Sequence, residues 1–499
     1  MQKGGSKVLT FNHQHLFTSD LVFGRITDFA IDETGIGLQL FAGAEASANL
    51  ARLDLNTGLT ASFETPWTLP DRGSTMRVND IEIIGSGNTA QLLVGTAQST
   101  QIESTLLTTS TSPIWTGVLG GPQTPINQIA YIEIGTQRFI ATGSRDSSGM
   151  DIYEQSGTSA SWTQRDTVVD HAKVALSDTA DLISIDVGGT AFLISGATGD
   201  GGISTFSVAP NGVASLIDTI GVKQQLWLSG LDDLVGVEAA GVDYVTIAAT
   251  NSSSLSVVRV NATGVMFVED HITDTQNSRF ANVDALDSFE IGNRGFVVAA
   301  GSDHGVSLLE VLPDGQLFHH DSLANHAGGG LENVSALQAA VLGNQVQVFA
   351  GTQTGDIVQL DLDVSTLGAA QVGTQNNDTL MGTSADDLLF GDVGNDTLSG
   401  GNGDDLLLGG GGTDQMTGGA GADIFVFGKG SGQAQVTDFN VAEDHIDISD
   451  WGRLYHISSL EITSRSDGAD ISFRDQTLRL ESHDNSALDM IALTDSFLF

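Results

Sequence analysis

A nine-residue period in the C-terminal part of the chain restricts its fold more than any other feature of the sequence. Residues 373–426 divide without a slip into six repeats: GTQNNDTLM, GTSADDLLF, GDVGNDTLS, GGNGDDLLL, GGGGTDQMT and GGAGADIFV. Position one is always glycine, position six is always aspartate, and position eight is always large and apolar. A single repeat cannot bury its apolar residue alone, so we predict that the repeats stack on one another.

Stacking of the repeats brings six aspartates into register. These are Asp378, Asp387, Asp396, Asp405, Asp414 and Asp423. Like charges in register repel one another, and a bound divalent cation removes that repulsion. Carboxylates are hard oxygen ligands of the kind that Ca²⁺ prefers, and the glycines allow the chain to turn its carbonyl groups inward. We therefore predict that folding of the stack is coupled to the binding of a divalent cation.

This nonapeptide array resembles the hemolysin-type calcium-binding repeats of the RTX family, whose pattern is G-G-x-G-x-D-x-U-x. The resemblance implies a right-handed parallel β-roll, with each Ca²⁺ between the turns of repeats two apart. It also implies that the six aspartates are the side-chain ligands, together with backbone carbonyls of the glycine-rich turns. The first two repeats depart from the pattern, because Thr374 and Thr383 replace the second glycine while Asn376 and Ala385 replace the third. This departure leaves the occupancy of the first turn open.

Residues 427–499 alternate apolar and polar positions between turn signals, and we predict a small β-rich cap that closes the open end of the roll. The string VTDF…DHIDIS and the ending MIALTDSFLF are similar to the segment that follows the repeats in RTX proteins exported by type I secretion. The resemblance implies an uncleaved C-terminal export signal, the type I secretion apparatus as a partner, and an extracellular location. The first fifteen residues lack the apolar run of a cleaved signal peptide, so no such peptide is expected.

Residues 1–364 carry a second and looser repeat of ~50 residues. Seven apolar runs, such as LQLFAG and VQVFAG, end at residues 43, 95, 143, 196, 250, 301 and 351. A weaker apolar strand usually precedes each run, and a third strand usually follows it and ends in a turn such as Asn-Gly or Asp-Gly. Seven such units predict a seven-bladed β-propeller, with 357–363 in the last blade and an outer strand from the N-terminus near 7–11.

The array broadly resembles lactonase-like and quinoprotein-like propellers, and no blade signature points to one family. A pair of β-sandwiches or a β-helix is the alternative to a propeller, although a period of ~50 residues is long for one coil of a β-helix.

Catalytic motifs are not recognisable in this sequence, so whether the chain is an enzyme stays open. None of the eleven histidines is followed by glutamate, so the HExxH motif of serralysin-like metalloproteases, which carry a similar calcium roll, is absent. Cysteine is also absent, which excludes disulfides, thiolate metal sites and cysteine nucleophiles.

Three further groups of polar residues are candidates for functional sites. Asp146, Asp200, Asp303 and Asp356 follow central strands, and we favour hairpin turn chemistry for them over metal or sugar binding. His304, His319, His320 and His326 are interpreted as surface turn residues rather than ligands or general bases. Asp444, Asp447 and Asp450 lack EF-hand spacing and are interpreted as solvated carboxylates rather than a further calcium site.

The net charge of −43 argues against nucleic acid or an anionic membrane surface as a partner. No run of ~18 apolar residues offers a membrane span. We therefore expect an all-β chain with a β-propeller at 1–364, a linker at 365–372, the β-roll at 373–426, and a cap with the export signal at 427–499.

The function expected from these features is that of a secreted calcium-binding protein. Its roll would fold on extracellular Ca²⁺, and its propeller would recognise a carbohydrate or protein ligand outside the cell. The alternative is a secreted hydrolase or lactonase with a metal in the central channel. That alternative requires three or more acids or histidines from different blades to converge at one channel mouth.

Overall fold

The structure, a computed structural model, describes residues 9–17, 24–32, 38–55, 60–70, 77–85, 89–96, 101–107, 113–117, 126–145, 148–157, 161–326, 329–428, 433–452, 454 and 456–498. The regular structure of these residues is β, apart from single 3₁₀ turns at Val222–Gln224, Ser449–Trp451 and Ile457–Ser459. The chain divides into two compact parts, of which one is Phe11–Glu290 with Gly295–Asp363 and the other is mainly Val364–Phe499.

The first part is a seven-bladed β-propeller, as the sequence predicts. Among the described residues, six blades are antiparallel sheets of four strands. Blade one has five, because two short outer strands both pair with its third strand. The N-terminal strand is β1, Phe11–Phe17. Blade one contains β2 Ile26–Asp32, β3 Gln39–Ala44, β4 Asn49–Asp54, β5 Ser62–Phe63 and β6 Trp67–Thr68. Blade two contains β7 Val78–Ile84, β8 Gln91–Thr96, β9 Glu103–Leu106 and β10 Thr116–Gly117.

The remaining blades follow in chain order. Blade three contains β11 Gln128–Ile134, β12 Gln137–Gly143, β13 Gly149–Gln155 and β14 Trp162–Val169. Blade four contains β15 Thr179–Val187, β16 Thr190–Ala197, β17 Gly202–Val208 and β18 Ala214–Gly221. Blade five contains β19 Leu231–Ala239, β20 Val242–Ala249, β21 Ser254–Val260 and β22 Met266–Thr273. Blade six contains β23 Ala285–Ile291, β24 Arg294–Ala300, β25 Gly305–Val311 and β26 Leu317–Ala324. Blade seven contains β27 Val334–Leu342, β28 Gln345–Thr352 and β29 Ile357–Asp363, with β1 as its outer strand.

The N-terminal strand β1 closes the ring by pairing antiparallel with β29, from Phe17 opposite Ile357 to Phe11 opposite Leu362. The sequence predicts this closure but places the strand near 7–11. The strand observed is Phe11–Phe17, and residues 7 and 8 lie outside the described residues.

Apolar contacts join neighbouring blades, because each blade packs both of its faces against others. The second strand of a blade is therefore apolar on both faces rather than alternating, and all six residues of β3 and of β8 are buried. One such cluster includes Ile194 and Ile203 of blade four with Val245 and Ile247 of blade five. These doubly buried strands are the apolar runs that reveal the repeat in the sequence.

Aspartates beside β-bulges link the outer strands of successive blades. Each carboxylate accepts the backbone N–H of the following residue and a second N–H from the outer strand of the next blade. The four aspartate-to-next-blade pairs, with N–H···Oδ2 distances, are Asp166 with Ala214 at 2.9 Å, Asp218 with Met266 at 3.0 Å, Asp270 with Leu317 at 2.9 Å, and Asp321 with Phe11 at 3.2 Å. The last of these bonds fastens β1 to blade six.

The second part is a parallel β-roll, again as predicted. Odd and even repeats supply strands to two different sheets, and each strand pairs in parallel with the strand two repeats further on. The roll strands are β30 Leu367–Val372, β31 Thr379–Met381, β32 Asp386–Phe390, β33 Thr397–Asn402, β34 Leu406–Leu408, β35 Gln415–Ala420 and β36 Ile424–Val426. The predicted linker 365–372 thus contains β30, which pairs in parallel with β32.

The cap extends both sheets of the roll. Its strands are β37 Gln433–Phe439, β38 His445–Asp447, β39 Glu461–Arg465, β40 Gly468–Phe473, β41 Gln476–Ser482 and β42 Phe497–Leu498. β37 and β38 continue the parallel pairing, and β39, β40 and β41 form an antiparallel meander. The position-eight residues and the apolar residues of the cap form one core, in which Leu407 and Phe425 are completely buried beside Ile446.

Candidate metal centre

The six aspartates of position six lie in two rows, one beside each sheet of the roll. The rows follow from the parallel register, because residues 18 apart stand next to each other on neighbouring strands, as Leu388, Leu406 and Ile424 do. One row contains Asp378, Asp396 and Asp414, and the other contains Asp387, Asp405 and Asp423. All six predicted ligands are therefore brought together in two lines rather than around a single point.

Within each row, one carboxylate oxygen of every later aspartate is used by the backbone. The N–H of an aspartate donates to Oδ1 of the aspartate 18 residues further on. The donor, acceptor and distance are Asp378 to Asp396 at 2.7 Å, Asp387 to Asp405 at 2.8 Å, Asp396 to Asp414 at 2.9 Å, and Asp405 to Asp423 at 3.0 Å. These bonds hold the carboxylates of successive turns close together.

The other oxygen, Oδ2, has no partner in the last four repeats. The aspartates concerned are only 0–2% exposed, and their unpartnered Oδ2 atoms are buried; they are Asp396, Asp405, Asp414 and Asp423. A buried carboxylate oxygen without a hydrogen bond is costly, so each of these atoms needs a proton or a cation.

The pKa values of these carboxyls are raised, which reflects the free-energy cost of burying their charge. Burial raises the pKa of Asp405 to about 8, and the neighbouring carboxylates of Asp423 and Asp387 also raise it. Burial raises the pKa of Asp423 to about 6. Burial also raises the pKa of Asp396 and of Asp414 above the ordinary value. A divalent cation beside Oδ2 would reverse the effect, because it favours the ionised form.

The glycine at position one is required by the space that the carboxylate occupies. A Cβ on Gly391 would lie 2.5 Å from Oδ2 of Asp396 and 2.5 Å from the carbonyl oxygen of Gly409. A Cβ on Gly400 would overlap with Oδ2 of Asp405 and lie 2.7 Å from the carbonyl oxygen of Gly418. Position one is therefore a cradle in which a carboxylate oxygen and a backbone carbonyl approach the same point.

The oxygen atoms that line this cradle are suitable ligands for Ca²⁺. They are all oxygens and combine negatively charged carboxylates with neutral backbone carbonyls, which is the ligand set of Ca²⁺ in proteins. Among the described residues, no three His, Asp or Glu side chains gather as a metal site. An ion in the roll would therefore draw the rest of its ligands from backbone carbonyls or water.

In the first two repeats, unlike the other four, Oδ2 of the position-six aspartate has hydrogen-bond partners. Oδ2 of Asp378 accepts the N–H of Thr374 at 2.6 Å and its hydroxyl at 2.8 Å. Oδ2 of Asp387 accepts the N–H of Thr383 at 2.6 Å and its hydroxyl at 2.9 Å. The replacement of the second glycine by threonine thus satisfies a carboxylate oxygen that is unpartnered in later repeats.

Asp444 is a member of these rows that sequence reasoning missed. Its Oδ1 accepts the N–H of Asp423 at 3.1 Å, as the repeat aspartates do, and its Oδ2 accepts the N–H of Asn440 at 2.8 Å. The residue is only 4% exposed, and burial raises its pKa to about 7. The interpretation of Asp444 as a solvated carboxylate was therefore wrong. The available signal is an acid directly before a short strand with a buried central apolar residue, which Asp444 shares with Asp423.

The comparison with known families agrees with this geometry. The fold and the two rows define a calcium-binding β-roll, joined in one chain to a seven-bladed propeller. The RTX calcium-binding nonapeptide repeat, in four copies, matches residues 372–407 and 399–433. The chain therefore carries RTX calcium-binding repeats. No curated protein matches the chain. Among the described residues, no helix has the length and apolar character that crossing a membrane requires.

The polar residues considered in the propeller mostly take part in local structure. Asp200 accepts the N–H groups of Leu176 and Ser177, and Asp356 accepts the hydroxyl of Thr354, as turn residues do. Burial raises the pKa of Asp303. Asp146 lies outside the described residues.

The histidines of blade six do not form one group. His304 occupies a turn with a φ of 60°, whereas His319 lies in a strand and bonds to Ser322. The prediction of a surface position is wrong for His320, whose side chain is fully buried and lies 2.7 Å from that of Glu310. The two side chains face each other across neighbouring strands, which the sequence positions alone do not show.

The central channel of the propeller encloses a cavity of about 710 Å³ whose lining includes thirteen acids and three arginines. Five of the acids on the innermost strands are already engaged in joining blades. Each accepts a backbone N–H of the next blade, and the pairs are Asp28 with Ile81, Asp80 with Ile129, Asp181 with Leu234, Asp233 with Leu286, and Asp287 with Ala339. These bonds, and the lack of a three-ligand group among the described residues, do not favour the hydrolase with a channel metal.

Proposed function

We propose that this protein is exported with its roll unfolded and that the roll folds outside the cell by binding Ca²⁺ through Asp378, Asp387, Asp396, Asp405, Asp414 and Asp423. The observation that supports this most is the set of four buried Oδ2 atoms without a partner. No lysine or arginine lies between Arg294 and Lys429, so no side-chain cation of that stretch offsets the carboxylates. Free calcium at extracellular concentrations exceeds the ~10⁻⁴–10⁻³ M dissociation constants of extracellular calcium modules.

The ligand assignment is tested by calcium titration of the full chain. We expect Asp396→Ala with Asp405→Ala to shift the midpoint of calcium-induced β structure, followed by circular dichroism, to higher calcium. The matched control is Asp475→Ala with Asp495→Ala, which removes two exposed carboxylates of the cap. An unchanged midpoint in the first variant, or an equal shift in the control, would count against the assignment.

Export is proposed to use the type I apparatus and to be directed by the last ~60 residues. Support comes from the likeness of the tail to exported RTX proteins and from the coupling of folding to calcium, because a chain that stays unfolded in the cell can be translocated. Deletion alone is ambiguous, since β41 and β42 contribute to the core of the roll and cap. A fusion of residues 440–499 to a passenger protein separates the two effects. Retention of the fusion in cells that express the apparatus would refute this routing.

The propeller is proposed to be a recognition module for an extracellular carbohydrate or protein. Support comes from the channel, where inner-strand acids are engaged in joining the blades rather than grouped around a reacting centre. The test applies the full-length protein with calcium to a glycan array and to a panel of lactone and ester substrates. Binding without turnover is expected. Hydrolysis that is abolished by Glu82→Gln, a substitution in the channel, would overturn the proposal in favour of the enzyme.

A further inference from the structure

The residue at position two differs between the repeats in which Oδ2 of the aspartate has a partner and those in which it has none, called open below. In repeats three to six this residue has a positive φ, with 70° at Asp392, 115° at Gly401, 83° at Gly410 and 108° at Gly419. Thr374 and Thr383 do not adopt a positive φ. A β-branched residue is strained in that region, so threonine favours a different turn. In that turn the N–H and the hydroxyl of the threonine both point to Oδ2.

This pair of donors bonds to the carboxylate oxygen that is unpartnered in the later repeats. Hydrogen bonds to an ionised carboxylate are strong, and two of them satisfy Oδ2 of Asp378 and two satisfy Oδ2 of Asp387. The positive ends of an N–H and an O–H bond also repel a cation brought to the same oxygen. A calcium ion would bind there only after both donors had moved away.

Asp444 extends the row of Asp387, Asp405 and Asp423 by one turn, and its Oδ2 is satisfied in a related way. Asn440 lies four residues before Asp444, as Thr374 lies four residues before Asp378, and its N–H likewise donates to Oδ2 of the aspartate. Protein donors therefore satisfy Oδ2 of Asp378, Asp387 and Asp444. Asp396, Asp405, Asp414 and Asp423 have no partner at Oδ2.

We propose that Thr374 and Thr383 replace calcium in the first two repeats. They close the carboxylates of Asp378 and Asp387, so that the first coil forms without an ion and serves as a template on which the calcium-dependent repeats stack. Calcium is then held only at the open aspartates of repeats three to six. This proposal rests on calcium binding by the roll and specifies where in the roll that binding begins. It also revises the assignment of six ligands to four.

The test compares Thr374→Gly with Thr383→Gly, as a double variant, to the unaltered full chain. Glycine restores the position-two residue of repeats four to six, so both carboxylates should open, and the number of calcium ions bound should rise by up to two. Equilibrium dialysis with calcium as the only probe measures this number. Thr413→Gly is the matched control, because Thr413 is exposed, lies in a turn of repeat five, and makes no hydrogen bond to a position-six carboxylate.

Hydrogen exchange supplies a readout that does not depend on calcium binding. In excess chelator, we expect amides of residues 386–390, which pair with β30, to be protected in the unaltered chain. Those of residues 397–426 should exchange freely. The double variant should lose the first protection and regain it with calcium. Thr383→Val keeps the β-branched backbone but removes the hydroxyl, so it should retain the calcium stoichiometry and lose part of the protection.

The outcomes separate this proposal from calcium binding itself. If the unaltered chain binds no calcium, the proposed function fails. If it binds calcium but the double variant binds no additional ion and keeps its protection in chelator, the role of the threonines is refuted and calcium binding stands. If the first coil is unprotected in chelator in the unaltered chain, the template is refuted.

Discussion

Replacing Asp405 by asparagine should stabilise the roll without calcium and weaken it with calcium. The substitution keeps an acceptor for the N–H of Asp387, which donates to Oδ1 at 2.8 Å, and removes the charge from the buried Oδ2. The pKa of Asp405 rises from the ordinary 3.8 to about 8 in the folded roll, chiefly through burial. At ~1.4 kcal/mol per pKa unit, ionising this carboxyl in the calcium-free roll costs on the order of 5 kcal/mol.

The pH dependence of this cost has a definite sign. Because the folded roll holds the proton more tightly than the unfolded chain does, Asp405 does not destabilise the roll below pH 3.8. Stability is then lost as the pH rises from 3.8 to about 8, where the full cost is reached. The benefit of Asp405→Asn in chelator should therefore be small at pH 5 and large at pH 8.

Local hydrogen exchange in the peptide of residues 397–408 measures this effect in the full chain. At pH 8 in chelator, Asp405→Asn should slow exchange by up to about 4,000-fold, and by roughly tenfold at pH 5. In saturating calcium the same variant should exchange faster than the unaltered chain, because a charged ligand is lost. Asp404→Asn is the matched control: Asp404 is only half-buried, and its Oδ1 accepts the N–H of Ala422.

The refuting result is an increase of exchange in Asp405→Asn that is equal at pH 5 and pH 8 in chelator. In that case Asp405 would act in the calcium-free roll as a structural acceptor, and the cost of its buried charge would be negligible.

Three further predictions concern a cradle glycine and the propeller. Gly400→Ala should destabilise the roll by about 1–3 kcal/mol and weaken calcium binding, because the added Cβ would overlap with the carboxylate of Asp405. The control Gly411→Ala should leave the calcium titration unchanged, because no atom lies nearer than 3.9 Å to its added Cβ. Burial raises the pKa of Glu82 to about 8, so propeller stability should fall as the pH rises from 4.5 to 8, and Glu82→Gln should raise the melting temperature at pH 8.5 and not at pH 4. Asp270→Ala removes the hydrogen bonds to the N–H groups of His271 and of Leu317 in the next blade. It should lower the free energy of unfolding, measured by denaturant titration, by about 1–3 kcal/mol, and an unchanged value would show that this link is dispensable.

The roll was predictable because its period is local. Every repeat occupies the same environment, so the same residue types recur at positions one, six and eight. The cradle explains why glycine at position one and aspartate at position six occur together. A Cβ at position one meets the carboxylate of position six, as Gly391 and Asp396 show. The propeller was predictable for a related reason, since its doubly buried second strands leave continuous apolar runs such as β8.

The residues that sequence reasoning placed wrongly depend on partners distant in the chain. Asp444 is buried because β38 pairs in parallel with β36, and that pairing brings it beside Asp423 across a break in the nine-residue period. His320 is buried because β25 and β26 face it toward Glu310. The predicted linker forms β30 because it finds a free edge on β32. None of these pairings is encoded by the residues next to the one concerned.

The amino-acid sequence alone determined that this chain has a propeller followed by a stacked roll rich in aligned carboxylates, because periodic burial and glycine positions are properties of each repeat. Only the tertiary structure decided which of those carboxylates need a cation. That need depends on whether Oδ2 meets a donor, and the donor is set by the backbone at position two, as at Thr383, and by the end of the stack, as at Asn440. Seven similar aspartates thus divide into closed and open ones through geometry that residue type does not reveal.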